Sequence, residues 1–212
     1  MRHWPLLDLR LVTPRLELRP ATLDDLDRLA DRSLEGVHAP GDMPFGFPWT
    51  AAPAADLPRN TIRFHLGALA AWRPDEWHAP FAVVHEGETV GVQSLRASEF
   101  ATTREVGTGS WLGLAWQGKG IGTEMRAAVL HLAFRGLGAE TATSSAFVDN
   151  PASLAVSRKL GYRPDGLDVC AIQGRRRVNQ RLRLMRAEFA CPVAVEVHGL
   201  EACLADFGAG PG

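Results

Sequence analysis

The residues able to do chemistry lie mostly between positions 105 and 162. Gln117-Gly118-Lys119-Gly120-Ile121-Gly122 follows an extended-type segment and precedes a helical one. Backbone N–H groups at a helix start have no intrahelical partners and carry the positive end of the dipole. Glycines that admit an anion there make a phosphate site without side-chain charge. Gly118, Gly120 and Gly122 meet that need. Spacing separates the nucleotide readings of such a loop. Gly113 to Lys119 satisfies a Walker A pattern until its final position, where Gly120 replaces the hydroxyl residue that would bind magnesium. A dinucleotide fingerprint fails because the third glycine comes one position early and the unit lies mid-chain after an antiparallel run. Glu105 opens the strand leading to the loop, and Asn150, Ser153 and Ser157 form a second polar set, with the two serines on one helical face. Cys170, Cys191 and Cys203 show no C-x-x-C spacing and none stands with a His near either segment. No disulfide framework, metal site or cysteine nucleophile is expected, and the thiols read as buried or inert.

The flanking pattern supplies elements to position these residues. Leu9 to Arg19 alternates like one strand, and Thr22-Leu23-Asp24-Asp25 resembles a helix N-cap with acids in the first turn, opening a helix to about Leu34. The proline-, glycine- and aromatic-rich stretch from Gly36 to Pro58 predicts an ordered loop, and Asn60 to Trp72 returns to helical spacing. Three strands are predicted over Pro80 to Val84, Val90 to Leu95 and Glu105 to Leu114, with a hairpin turn at Glu86-Gly87-Glu88. Ile121, Met125, Val129 and Leu132 recur at helical intervals after the loop. A strand over Thr141 to Val148 and a helix opening at Asn150-Pro151 follow. Two closing strands, Leu167 to Ile172 and Gln180 to Met185, would carry Arg175-Arg176-Arg177 in their turn. The expected fold is α/β of the α+β kind: a mixed, mainly antiparallel sheet flanked by helices.

Gln117-x-x-Gly120-x-Gly122 resembles the acetyl-CoA loop of the GNAT superfamily of N-acyltransferases, with a strand before it and a helix after it in that family's order. Asn150-Pro151-Ala152-Ser153 followed by Lys159-Leu160-Gly161-Tyr162 is similar to its other hallmark. Thr13-Pro14-Arg15-Leu16-Glu17-Leu18-Arg19 resembles the opening of the RimJ/RimL branch, which acylates protein N-termini. Gly109-Ser110-Trp111-Leu112-Gly113 with Gly122-Thr123-Glu124-Met125-Arg126 looks closer to an actinobacterial subgroup that includes a mycobacterial succinyltransferase.

The resemblance implies an acyl-CoA-dependent N-acyltransferase that uses acetyl-CoA or succinyl-CoA and no metal. The backbone of Trp111, Leu112 and on to Leu114 would pair with the pantetheine arm. Amides of Gln117, Gly118, Lys119, Gly120, Ile121, Gly122 and Thr123 would hold the pyrophosphate, with the Thr123 hydroxyl adding a bond and Asn150 bonding the pantetheine. Lys119, Arg158 and Lys159 would assist the phosphates or be ordinary surface cations. Transfer to an amine requires a neutral amine, a polarised carbonyl and a proton for the leaving thiolate. Glu105 is the candidate base; the alternative is a surface acid at a strand end. Ser153 holds the position of a proposed general acid in the RimL-like branch, and Ser157 stands where many relatives carry tyrosine. A serine hydroxyl yields its proton less readily than a phenol, so the pair reads as cofactor ligands that orient a water or the sulfur. Tyr162, in the Gly-aromatic pair, reads as core.

Composition sets the outer limits. A chain of 212 residues with 46% hydrophobic content supports one core. We expect a catalytic domain over residues 1–191 and an extension over 192–212 packed on it. That extension holds a strand from Val193 to His198 and a short helix from Leu200 to Phe207. Lys plus Arg (23) balances Asp plus Glu (24), which argues against a nucleic-acid partner or an anionic membrane surface. Charges throughout the first twenty residues exclude a signal-peptide core, no apolar run would span a bilayer, and a cytoplasmic protein is expected. The acceptor would be a primary amine: a protein N-terminus, a lysine or a small amine. Met43 to Trp49 would form an aromatic wall on that side, joined by Trp72 and Trp77, or a cluster that pins the loop. A dicarboxylic donor would need a cation near the acyl end, for which His38 and Arg104 are candidates. An exposed strand edge in the extension suggests a homo-oligomer. An acyl-CoA sensor with little turnover is the alternative to an enzyme.

Overall fold

A computed structural model describes residues 1–210. Its strands are β1 (Arg10–Val12), β2 (Leu16–Pro20), β3 (Glu76–His85), β4 (Glu88–Ser98), β5 (Glu105–Leu112), β6 (Thr141–Phe147), β7 (Arg163–Ile172), β8 (Arg175–Met185) and β9 (Glu196–His198). Its α-helices are α1 (Leu23–Glu35), α2 (Leu57–Ala70), α3 (Phe100–Thr103), α4 (Ile121–His131) and α5 (Pro151–Lys159). The strands form one sheet in the order β7-β8-β6-β5-β4-β3-β2-β1-β9. Among the described residues only the β5–β6 pairing is parallel. This is the mainly antiparallel α/β architecture expected from the sequence.

Local chemistry explains the boundaries. Thr22 caps α1 by accepting from the Asp25 amide, while Asp25 accepts from the Thr22 amide, a capping box. The β3–β4 hairpin turns at Glu86 and Gly87, both with positive φ (51° and 82°), as a two-residue turn between twisted strands requires. The single strand expected over Leu9 to Arg19 is instead two strands, β1 and β2, paired antiparallel. Pro14 offers no N–H to a ladder, and the Thr13 amide and hydroxyl close a turn onto Leu16. The basic run Arg175 to Arg177 is not a turn either, because Gln173 and Gly174, with φ of 49° and 74°, make the bend and the arginines begin β8. Arg177 lies over the Phe147 ring and donates to the Met43 carbonyl and to Asp149, tying the aromatic loop to the sheet.

The principal core lies between the sheet and α4, with Leu95, Val106, Met125, Val129 and Leu184 among its buried members. Strand alternation sends Val92 and Trp111 to the opposite face, against Leu29 of α1. Trp72 and Trp77 do not join the aromatic wall. They stack on each other and pack edge-on against Phe207, and their indole N–H groups donate to the Asp206 and Phe207 carbonyls. Burying Phe207 contributes roughly 1.5–3 kcal/mol, enough to hold the C-terminal segment on the main core. The strand expected over Val193 to His198 is confined to β9, which pairs with β1, and the expected helix over Leu200 to Phe207 is two short 3-10 turns. Residues 211 and 212 of the expected extension lie outside the described residues. Among the described residues no helix is long and apolar enough to cross a membrane.

Candidate active site

The site begins where β5 and β6 part. They pair only at Glu105↔Thr141, Val106↔Ala142 and Gly107↔Thr143. Beyond that, β5 stays with β4 and β6 stays with β8, so the two strands open like a fork. The Gly113 amide points to β4, bonding the Val90 carbonyl, and the Val106 carbonyl points to β6, accepting from the Thr143 hydroxyl. By strand alternation the backbone groups of Thr108, Ser110 and Leu112 face the open edge. The fork widens into a cleft of about 1110 Å³ that reaches both faces of the sheet. One end is lined by Gly118, Gly120 and Thr123, the other by Phe45, Trp49 and Phe64.

The glycine loop closes the first end. Gly118 and Gly120 have φ of 73° and 82°, a left-handed backbone that a Cβ disfavours. Gly120 caps α4, and its carbonyl accepts from the Thr123 and Glu124 amides. Among the described residues, the amides of Gly118 through Gly122 bond no other backbone group. They form a row of free donors at the positive end of α4. A side-chain clamp holds the row from behind. Arg15 donates through Nη1 to the Lys119 carbonyl (3.1 Å) and through Nε to buried Glu124 (2.7 Å), which also accepts from the Thr13 hydroxyl (2.7 Å). The Gln117 side chain is structural too, donating to the Val37 and Leu112 carbonyls. A loop of free amides, open glycines and a clamped backbone fits a pyrophosphate.

The other expected site residues divide. Trp111, Leu112, Gln117, Gly118, Gly120, Gly122, Thr123, Asn150 and Ser153 all line the cleft. Asn150 caps α5, its Oδ1 accepting from the Ser153 amide, which leaves its amide nitrogen for the cleft. Trp111 contributes its indole, 5.4 Å from that of Trp49, since its backbone faces β4. Leu114, Lys119, Ile121 and Ser157 are not on the cleft wall. The Leu114 amide is committed to the Gly36 carbonyl, and the Lys119 ammonium sits over the Trp116 ring. Ile121 is buried in the core, although its amide belongs to the free row. Ser157 is fully buried; its hydroxyl donates to the Ser153 carbonyl and accepts from Arg126, so it underlies the wall instead of touching a ligand.

Glu105 does not enter the cleft. It lies where β5 and β6 are still paired, at the closed end of the fork, and accepts from Arg183 at 2.6 Å. That bond and one to Asp165 raise the Arg183 pKa. Glu105 faces a neighbouring groove of about 840 Å³, which meets the cleft at His78 and Arg96. His38 and Arg104 are also absent from the cleft wall. The His38 ring bonds Ala39 and Thr50 within the loop, and the Arg104 guanidinium lies over Phe100. Tyr162 is buried, with its hydroxyl 3.2 Å from that of Thr108 and its pKa pushed up by burial.

Sequence reading gave no site role to Arg126, His65 or His78, polar residues on the cleft wall. Arg126, on α4, is 4% exposed and donates to the hydroxyls of Ser157 (3.0 Å) and Ser110 (3.1 Å). On the opposite face, His65 of α2 and His78 of β3 each make an edge-on contact with Phe64. Their Nε2 atoms are buried without partners. Burial, and then the neighbouring His78 charge for the first and the Arg96 charge for the second, lowers each imidazole to about 4, so both are neutral near pH 7. Among the described residues no cluster of His, Cys, Asp or Glu is placed to hold a metal ion.

Known proteins share this fold. Mycobacterium smegmatis RimJ in complex with CoA-disulfide superposes with a TM-score of 0.70 at 21% identity, covering 87% of this chain and 90% of that one. RimL, the ribosomal L7/L12 alpha-N-protein acetyltransferase solved in complex with coenzyme A, gives 0.65 at 22% identity over 82% and 96%. A GCN5-related N-acetyltransferase from Brucella melitensis gives 0.67 at 18% identity over 84% and 79%. At such identities the likeness is one of fold, but the sequence profile of the acetyltransferase (GNAT) domain independently matches residues 15–163. That span takes in the Arg15 clamp, the forked strands, the amide loop and the Asn150 cap, and the chain accordingly belongs to the GNAT acetyltransferase family.

Proposed function

We propose that this chain transfers an acetyl or succinyl group from coenzyme A to a primary amine by direct attack within a ternary complex. The observation that carries this reading is the row of free amides from Gly118 to Gly122 at the mouth of a cleft that passes through the sheet. A phosphate-bearing thioester and an amine would approach from opposite faces. Acyl-CoA supplies the activated carbonyl. The open edge of β5 offers the Ser110 amide and carbonyl and the Leu112 amide to an extended amide-bearing arm, the Leu112 carbonyl being taken by Gln117. Asn150 and Ser153 face that arm from α5.

In the transfer, the amine nitrogen bonds the thioester carbon, the carbon–sulfur bond breaks, and one proton moves from nitrogen to the departing thiolate. On the amine side the neutral imidazoles of His65 and His78 line the cleft and are the candidates to take up that proton, directly or through water. Glu105, fixed by Arg183 at the closed end of the fork, is not assigned the base in this reading. Ser153 acts as a ligand that orients the sulfur end. The acceptor is a protein N-terminus, a lysine or a small amine held against Trp49, Phe64 and Trp111. The RimJ and RimL structures, the latter an alpha-N-protein acetyltransferase, favour the first of these.

Thiol release from acetyl-CoA and succinyl-CoA across an amine panel tests the proposal. Turnover with at least one amine is expected, and Glu105→Gln should retain it within about threefold, since Glu105 lines the neighbouring groove and not the cleft wall. Tight CoA binding with no thiol release from any amine would replace the enzyme by a sensor.

A further inference from the structure

The cleft holds a buried charge that the protein itself does not neutralise. Arg126 projects from α4 between the arms of the fork, 4% exposed. Two of its nitrogens reach neutral hydroxyls, those of Ser157 and Ser110, and its Nε is buried without a partner. Among the described residues no carboxylate pairs with it. The buried acid closest to it in sequence, Glu124, is taken by Arg15 and Thr13. A guanidinium does not discharge in a protein, and a buried cation without a counter-ion is costly unless a ligand supplies the anion. Burial lowers its pKa, the direction expected of a cation lacking such a partner.

Its position identifies the side of the reaction. Ser110 and Trp111 alternate on β5, so Ser110 and Arg126 lie on the α4 face while Trp111, His78 and Arg96 lie on the acceptor face. The α4 face also carries the amide loop, so a donor whose phosphates rest on Gly118 to Gly122 and whose arm follows the edge of β5 brings its acyl end toward Arg126. We propose that Arg126 binds the terminal carboxylate of a short dicarboxylic acyl group, making this cleft selective for acyl donors that end in an anion. The inference rests on the acyl-CoA reading above. Ser110 and Ser157 hold the guanidinium at a fixed angle, leaving its remaining N–H donors for the carboxylate.

Calorimetry with succinyl-CoA, butyryl-CoA and free CoA tests it, because the first two share a four-carbon chain and differ at its end. Succinyl-CoA is expected to bind about 10- to 100-fold more tightly than butyryl-CoA, as hydrogen bonds to a buried charge allow. Arg126→Leu should remove that preference while leaving butyryl-CoA within about threefold, a spread smaller than one such bond. Should the variant fail to fold, the comparison on the unaltered protein still decides. Equal affinity for the two thioesters, with CoA bound tightly, would overturn the inference and leave the acyl-CoA reading intact. Failure of all three to bind would overturn both.

Discussion

The clamp behind the amide loop offers a quantitative test of how the fold prepares the donor site. Arg15 contributes bonds to Glu124 at 2.7 and 2.6 Å and one to the Lys119 carbonyl at 3.1 Å. Breaking a fully buried ion pair costs about 3–5 kcal/mol, and an exposed one about 0–1. Here the Glu124 side chain is 6% exposed but that of Arg15 is 44% exposed, so solvent screens the pair. Glu124 also keeps the Thr13 hydroxyl and the Arg15 amide after the side chain is removed. Arg15→Ala should therefore cost about 1.5–2 kcal/mol of stability, between those limits. The tether to Lys119 bears on the loop itself, and losing it should weaken CoA binding by about 1 kcal/mol, a factor of about five in Kd. Urea unfolding and calorimetry with CoA measure the two effects, and combination with Glu124→Gln should be less than additive by about 1 kcal/mol. If Arg15→Ala lowers stability yet leaves the CoA Kd within twofold, the clamp supports the fold alone and does not organise the anion site.

Two further perturbations separate conformation from charge. Gly118→Ala and Gly120→Ala both place a Cβ on a left-handed backbone, at a cost of about 1–2 kcal/mol each. Gly120→Ala also sets its Cβ 3.3 Å from the Arg15 guanidinium, whereas Gly118 has open space, so Gly120→Ala should weaken CoA binding more. Equal losses in calorimetry would contradict the clamp geometry. The histidine pair makes stability depend on pH with a defined sign. Both folded pKa values, about 4, lie below the ordinary 6.5, so as pH falls the unfolded chain takes up protons first and stability drops between 6.5 and 4. Each contributes a loss of about 1.4 kcal/mol at pH 5.5, and none above pH 7.5. Asp25, whose burial is outweighed by bonds from Arg19, Thr22 and Thr89 that hold it at about 2, weakens the fold only below 3.8. Denaturant unfolding of the protein and of His65→Gln at pH 7.5 and 5.5 would show this, and an unchanged slope in the variant would refute it.

Which parts of the site were legible in the sequence follows from how locally each is determined. The loop from Gln117 to Gly122 and the Asn150 cap are single turns whose geometry depends on glycine, proline and an amide side chain, so their residue types reveal them. The first strand was misread because Pro14 was counted within an alternating run and not as a break in it. The position of Glu105 is determined less locally. Its placement depends on how many residues β5 and β6 share before they part, and nothing in either strand alone encodes that number. The fork opens after Gly107, because Thr143 is the last residue of β6 to pair with β5 while β8 continues to hold β6 as far as Phe147. A carboxylate at the first residue of β5 therefore stays at the closed end, in the groove that adjoins the cleft at His78 and Arg96. Arg126 was hidden for a related reason. Helical periodicity weighs apolar positions, and a charge beside Met125 reads as the polar stripe of an amphipathic helix until α5 and the fork are seen to cover it. The polar residues least explained by the local pattern, Arg126, His65 and His78, all line the cleft, and each keeps a buried nitrogen without a partner. A conflict of that kind between local pattern and global burial points to a ligand.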